Sequence, residues 1–283
     1  MASEWSTDRL DVAAYLRRIG YEGSLDATLQ TLRGLHRAHL DAISFENLDV
    51  VIGRPVHIDI DSLQDKLIRR RRGGYCFEHN LLFGALLERV GFPVTRLAGR
   101  VHMGTDKLRP RTHMLLRVEA ASTDWLADVG FGGEGLLEPL PLAAGATASQ
   151  GSWSYRLDRR SESDSAEDTL MLQSLHRDGW FDLYSFTLAP QHHVDYVMAN
   201  HYIATHPGSP FVGQSVVQRY GPDVRHVLVG RCLTTTRGDG SVNRRRLDPQ
   251  ELPQVLEDTF GIVLTPEERI RLQVPTSHDR DGP

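Results

Sequence analysis

A chain of 283 residues with 40% hydrophobic and 24% charged side chains has room for one large domain or two to three smaller ones. It can bury about three quarters of its unfolded surface, which excludes a single small module and global disorder. The formal charge of −5, from 32 basic and 37 acidic residues, gives no basic field to hold a phosphate backbone, so no nucleic-acid partner is expected.

Residues 8–19 read as a first helix, with Leu10, Ala13, Ala14 and Leu16 near one face and Gly20 as a stop. A second helix is expected from Asp26, carrying Leu29, Leu32 and Leu35 at helical spacing. Asp61 with Gln64 three residues on resembles a capping box and opens a third helix that runs through Leu63 and Leu67 to an arginine run. The fourth, residues 76–90, lies between Gly73-Gly74 and Gly91 and is apolar on most sides, which marks it as buried among the others. From Phe92 the period shifts toward two, and strands are predicted at 94–101, 113–118, 125–129, 153–157 and 170–175. Asp178-Gly179 signals a hairpin into a strand at 180–188, and the polar, acidic stretch 161–168 reads as an exposed loop. A helix is expected around 193–201, then strands including 224–236 and 241–247 about a Gly238-Asp239-Gly240 turn, and a short helix at 254–260. The amino terminus has no basic-then-apolar signal segment, and no apolar run approaches the roughly 18 residues of a membrane span. With only Cys76 and Cys232, too few for a disulfide framework, the expectation is a soluble cytoplasmic protein with no membrane partner.

The chemistry centres on Cys76. It sits where a double-glycine turn feeds a helix, so free backbone N–H groups and the positive end of the helix dipole face its sulfur, an arrangement that suits a negatively charged nucleophile. Cys232, within a strand pattern, reads as core filler. A cysteine nucleophile needs a base, and the base an orienting group. Among 13 histidines, His113 is the best placed, because residues 112–118, 119–124 and 125–129 read as strand, turn, strand. A turn centred between Ala120 and Ala121 sets His113 opposite or nearly opposite Asp128, close enough for the carboxylate to fix the imidazole tautomer. After Asp128 comes Gly130-Phe131-Gly132-Gly133, a turn whose bare backbone can approach a substrate. The Cys, His, Asp order serves acyl transfer to water or to a lysine amine as in papain- or transglutaminase-like enzymes, and equally transfer from another donor. A non-catalytic binding protein is disfavoured because all three positions are filled.

Arg72-Gly73-Gly74-Tyr75-Cys76-Phe77-Glu78-His79-Asn80 resembles the active-site motif of the arylamine N-acetyltransferases. Ser44-Phe45-Glu46-Asn47-Leu48-Asp49 is similar to that family's Pro-Phe-Glu-Asn-Leu segment, with Ser44 in place of the proline. Thr112-His113-Met114-Leu115-Leu116 and Asp128-Val129-Gly130-Phe131-Gly132-Gly133 resemble its histidine and aspartate strands, and Thr205-His206-Pro207 to Phe211 carries a weaker likeness. The separations, 37 residues from Cys76 to His113 and 15 from His113 to Asp128, agree too.

The resemblance implies an α+β fold: a helical bundle over 1–92 carrying the nucleophile, a β-barrel over 93–204 carrying His113 and Asp128, and an α/β lid over 205–283, with a cysteine-protease-like Cys-His-Asp core. It implies acetyl-CoA as co-substrate, no metal, and ping-pong transfer through acetyl-Cys76 to a small arylamine or hydrazine. By the same resemblance Phe45, Phe131, Gly132 and Phe211 bind substrate, Glu46 and Arg72 form a buried ion pair, and the chain is a monomer or homodimer. Arg69 to Arg72 is weighed as a CoA phosphate site and read instead as a solvated helix end. His192, His193, His201 and His206 lack any known metal-ligand spacing.

Overall fold

The computed structural model describes residues 4–105, 107–160 and 168–273, so the loop expected at 161–168 lies outside the described residues except for its last, the exposed Asp168. The first helix, α1 (Val12–Ile19), starts later than the sequence led us to expect. Asp11 caps it by accepting the Ala14 N–H at 2.9 Å, and residues Thr7–Arg9 form a separate 3-10 turn. Gly20, in the left-handed region, ends it as expected. Next come α2 (Leu29–Ala42), a two-residue strand β1 (Phe45–Glu46), and the short α3 (Leu48–Val51).

The helix α4 (Ile60–Leu63) is capped by Asp59, which accepts the Ser62 N–H at 3.0 Å, and not by Asp61, whose carboxylate pairs with Arg9. It continues as a π-helical turn, Gln64–Arg69. Gln64 takes no part in capping it: its side chain accepts from the Asp11 N–H and donates to the Arg9 carbonyl. The helix α5 (Cys76–Val90) has the expected bounds, and its residues 76–87 are all buried, which is why it is apolar on most sides.

Eight strands follow: β2 (Val94–Val101), β3 (Arg111–Ala120), β4 (Thr123–Ala127), β5 (Leu140–Pro141), β6 (Thr147–Gln150), β7 (Trp153–Arg160), β8 (Thr169–His176) and β9 (Gly179–Phe186). They form one antiparallel sheet in the order β5-β4-β3-β2-β9-β8-β7-β6. Gln150 of β6 bonds the backbone of Leu137 and Glu138 just ahead of β5, so the two edges approach and the sheet nearly closes into a barrel. The β8–β9 connection uses Arg177 and Asp178, with Gly179 already paired to His176, one residue earlier than the Asp-Gly signal implied.

Strand β3 is buried on both faces, and its alternation sorts two cores. Met114, Leu116 and Val118 pack with α5 and the other helices, while Leu115 joins Leu97, Tyr155, Leu172 and Tyr184 inside the barrel.

After α6 (His193–Thr205) come β10 (Val216–Tyr220), β11 (Val224–Val229), β12 (Cys232–Arg237), β13 (Val242–Arg246), α7 (Leu252–Phe260) and α8 (Pro266–Gln273). The stretch read as strand over 224–236 is a hairpin broken at Gly230, which has φ 57°. Cys232 is not core filler: it opens β12 opposite Val229 and Arg246 and is half-buried. The second sheet runs β1-β10-β11-β12-β13, so Phe45 and Glu46 add an edge strand to a sheet otherwise built from the last third of the chain. Among the described residues no helix is long and apolar enough to cross a membrane.

Candidate active site

The start of α5 is held from two directions. Gly74 bridges to Phe45, and its carbonyl accepts the Glu46 N–H at 2.8 Å. A Cβ on Gly73 would lie 2.0 Å from the Ser44 carbonyl oxygen, so only glycine lets the turn pass β1 this closely. Ser44, the departure from the family's proline, donates its hydroxyl to the Phe260 carbonyl at 2.6 Å and so ties this segment to α7. Glu78 reaches back to the Tyr75 N–H at 3.0 Å, one half of a capping box. The N–H groups of the first turn are thus presented beside Cys76, which is 5% exposed and donates its thiol to the Thr112 carbonyl at 3.6 Å.

The β3–β4 register places the hairpin turn at Ala121 and Ser122, both at positive φ, two steps in index sum from the expected centre. The paired ladder ends at Leu116 and Ala127, and Asp128 lies just beyond it. A shift of two in the sum is even, so His113 and Asp128 keep to one face and become diagonal rather than opposite neighbours. The two side chains meet: His113 Nε2 donates to Asp128 Oδ2 at 2.7 Å.

With Nε2 committed to Asp128, Nδ1 is the nitrogen left to interact with the Cys76 sulfur, an interaction that favours the charged ring. Burial alone would lower the His113 pKa, but the Asp128 charge, its hydrogen bond and the Cys76 contact outweigh that and push it up to about 10. Burial likewise opposes ionisation of Asp128. His113, Asn80 and the Gly130 N–H nevertheless hold its pKa below the usual carboxylate range. Imidazolium and carboxylate therefore form a buried ion pair against the sulfur.

Asn80 is the residue that sequence reasoning quoted without giving it a task. Its amide donates to the Met114 carbonyl at 2.6 Å and to Asp128 Oδ1 at 2.9 Å, and accepts the Val129 N–H at 3.1 Å. One side chain on the nucleophile's helix thus ties β3 to the turn that carries Asp128. His36 also escaped notice; its Nε2 accepts the Asp128 N–H at 3.3 Å. Four residues separate Asn80 from Cys76, one helical turn, and that spacing was the available signal.

The turn after Asp128 lies on the helix start: a Cβ on Gly130 would come 2.8 Å from Cys76 Cα. Phe131 packs edge-on to His113 with ring centroids 5.2 Å apart, and Tyr184 packs on the same imidazole at 4.7 Å. Gly132, at φ 92°, faces Phe45 and the Gln218 side chain. Phe45 and Phe211 are 5.7 Å apart, with Tyr75 5.9 Å from Phe211. Of the four residues expected as substrate contacts, Phe131 lies on His113, Gly132 faces Phe45, and Phe45 packs on Phe211, so three separate stretches of chain meet here.

Arg69, Arg70 and Arg71 are exposed, but Arg72 is buried. It bonds Glu46 Oε1 at 2.8 Å and Glu268 of α8 at 2.7 Å, while Lys66 bonds Asp49 at 2.9 Å and Glu78 at 2.8 Å. Burial would lower the pKa of Lys66 and of Arg72, yet the surrounding carboxylates raise both. His192 pairs with Glu4 and His206 stacks on Tyr202. Among the described residues no three histidine, cysteine or acidic side chains gather where one ion could be held.

A family model described as N-acetyltransferase matches residues 28–270. The chain is 40% identical over 259 residues to an arylamine N-acetyltransferase of Mycobacterium tuberculosis, covering 89% of each. It is similar to the crystal structure of the Nocardia farcinica arylamine N-acetyltransferase, with TM-score 0.90, 47% identity and 96% of each chain covered. It is also similar to the Mycobacterium marinum arylamine N-acetyltransferase in complex with CoA, with TM-score 0.86, 37% identity, 94% of this chain and 100% of that one.

Proposed function

The chain belongs to the arylamine N-acetyltransferase family, and from that premise we propose that Cys76, His113 and Asp128 carry acetyl from acetyl-CoA to an arylamine or arylhydrazine by a ping-pong route. The observation that carries the reading is the His113–Asp128 pair at 2.7 Å set against the start of α5, where the Cys76 thiol reaches the Thr112 carbonyl next to that histidine at 3.6 Å.

In the first half-reaction the Cys76 thiol proton already sits on His113 Nδ1, as a thiolate–imidazolium pair, and the sulfur attacks the thioester carbonyl of acetyl-CoA. Negative charge develops on that carbonyl oxygen, where the first-turn N–H groups of α5 can donate to it. The tetrahedral intermediate collapses, the bond to the CoA sulfur breaks, and His113 returns the proton to the departing CoA thiolate. In the second half-reaction the amine nitrogen attacks acetyl-Cys76, His113 accepts a proton from it, and the Cys76 sulfur leaves to restore the enzyme. Asp128 keeps the ring in one tautomer and supports its charged form throughout. Phe45, Phe131 and Phe211 supply flat apolar walls for the acceptor ring, and Gly132 offers its bare backbone beside them.

The same reading keeps the division into a helical unit over 1–92, a barrel over 93–204 and a lid over 205–283, joined in a cysteine-protease-like arrangement. It takes the protein as cytoplasmic, where the free thiols Cys76 and Cys232 stay reduced, and as a monomer or homodimer.

Intact-protein mass after mixing with acetyl-CoA and no amine tests the route. One acetyl group mapping to Cys76 and discharged by an added arylamine is expected. Rapid alkylation of Cys76 with no acetyl adduct would move the assignment to a hydrolase or another donor.

A further inference from the structure

Gln218 sits on β10 directly opposite Phe45 of β1, at the seam where the amino-terminal segment joins the carboxy-terminal sheet. Its carboxamide lies against the glycine turn. Oε1 accepts the Gly133 N–H at 2.9 Å, and a Cβ on Gly132 would fall 1.9 Å from that oxygen. A backbone N–H can only donate, so this bond fixes which end of the amide is oxygen. The Nε2 end, with two N–H groups, has no hydrogen-bond partner among the described residues, and the residue is only half-buried. An oriented amide donor is thus left over at the turn whose other end, Gly130, rests on Cys76.

The two substrates present different chemistry to such a donor. Arylamines as a class share only an aromatic ring and an amine, and the aromatic walls already suit the ring. Every acyl-CoA carries amide carbonyls along the pantetheine arm that leads away from its sulfur, each an acceptor matched to an amide N–H. Resting on the acetyl-CoA reading above, we infer that Gln218 is a specificity-determining residue for the acyl donor, its Nε2 donating to a pantetheine amide carbonyl while Oε1 holds the glycine turn.

Gln218→Glu separates the two tasks, because it keeps an acceptor for the Gly133 N–H and removes the donor. Single-turnover acetylation of Cys76 is measured by mass with two donors, acetyl-CoA and p-nitrophenyl acetate, the second having no pantetheine. The expected result is a loss of about tenfold in kcat/KM for acetyl-CoA, the size of one lost hydrogen bond, with p-nitrophenyl acetate within twofold of wild type. Gln218→Met, which loses both ends, should slow acetylation by both donors. An equal loss with both donors for Gln218→Glu, no loss at all, or a loss confined to discharge by the amine would overturn the assignment. Wild-type enzyme that acetylates with neither donor would instead refute the acetyl-transfer reading itself.

Discussion

Asp128→Asn is isosteric, and its effect follows from the groups that already hold the carboxylate. Oδ1 accepts from Asn80 Nδ2 at 2.9 Å and from the Gly130 N–H at 3.0 Å. Two donors facing one atom force the oxygen of an asparagine to that side. The new amide nitrogen then faces His113 Nε2, where a donor now meets a ring nitrogen that had itself been donating. The ring must give up its Nε2 proton and carry one on Nδ1, which turns an N–H toward Cys76 and removes the base. Losing the carboxylate also removes the charge that holds the His113 pKa at about 10, and burial then drives the ring toward the neutral form. A wrong tautomer of this kind costs about 10³- to 10⁴-fold in turnover, roughly 4 to 5.5 kcal/mol of barrier. The assay is quenched-flow acetylation of Cys76 at pH 7.5, with urea unfolding as a control for folding. A variant that folds normally and acetylates within tenfold of wild type would refute the tautomer argument.

Three further outcomes are expected. Cys76→Ala should form no acetyl adduct while keeping its urea midpoint, since the thiol's one backbone contact is weak; an adduct elsewhere would reassign the nucleophile. Arg72→Met leaves Glu46 and Glu268 buried without their shared cation and should cost about 3 to 5 kcal/mol by urea unfolding; a loss under about 1 kcal/mol would contradict the network. His36 and His79 have pKa values lowered to about 4, chiefly by burial, so the folded state resists protons that the unfolded chain takes up near 6.5. Their contribution is therefore present above pH 6.5 and drains away as the pH falls toward 4, by up to about 3 kcal/mol for each. Urea titrations at pH 7.5, 5.5 and 4.5 should show the slope, and His79→Gln should flatten it; an unchanged slope would sink the assignment.

Local pattern was enough to bound α5 and β2, because each is bracketed by glycine or proline and has one unbroken period. The β3–β4 turn was harder. Residues 119–124 contain several polar positions able to turn, and the chain chose Ala121 and Ser122 at φ 51° and 58°, a conformation that neither side chain advertises. The pairing of His113 with Asp128 survived because the displacement was even, whereas an odd one would have sent them to opposite faces. Strand β1 was invisible for a different reason: two residues have no period, and Phe45 and Glu46 become a strand only because Gln218 and Val217 arrive beside them.

Apart from the Glu46–Arg72 pair, most of the groups that hold the candidate site were illegible for the same reason, since each is defined by a contact distant in sequence. The clearest case is the buried chain behind α5. The Ser44 carbonyl can only accept, so His79, 3.3 Å away, must carry its proton on Nε2. His79 Nδ1 then accepts from His39 Nε2 at 2.7 Å, and His39 Nδ1 accepts from the Tyr15 hydroxyl at 2.5 Å. Each tautomer dictates the next, and both rings are kept neutral by burial. Four stretches of chain are locked in one polarity, with the last histidine one turn from Cys76 and stacked beside Phe45. The nine-residue motif therefore does two kinds of work: Cys76 and Asn80 face the barrel, while Glu78 and His79 face the helices that fix where the sulfur sits. A motif reader sees a nucleophile; the fold shows that most of its neighbours are there to hold it still.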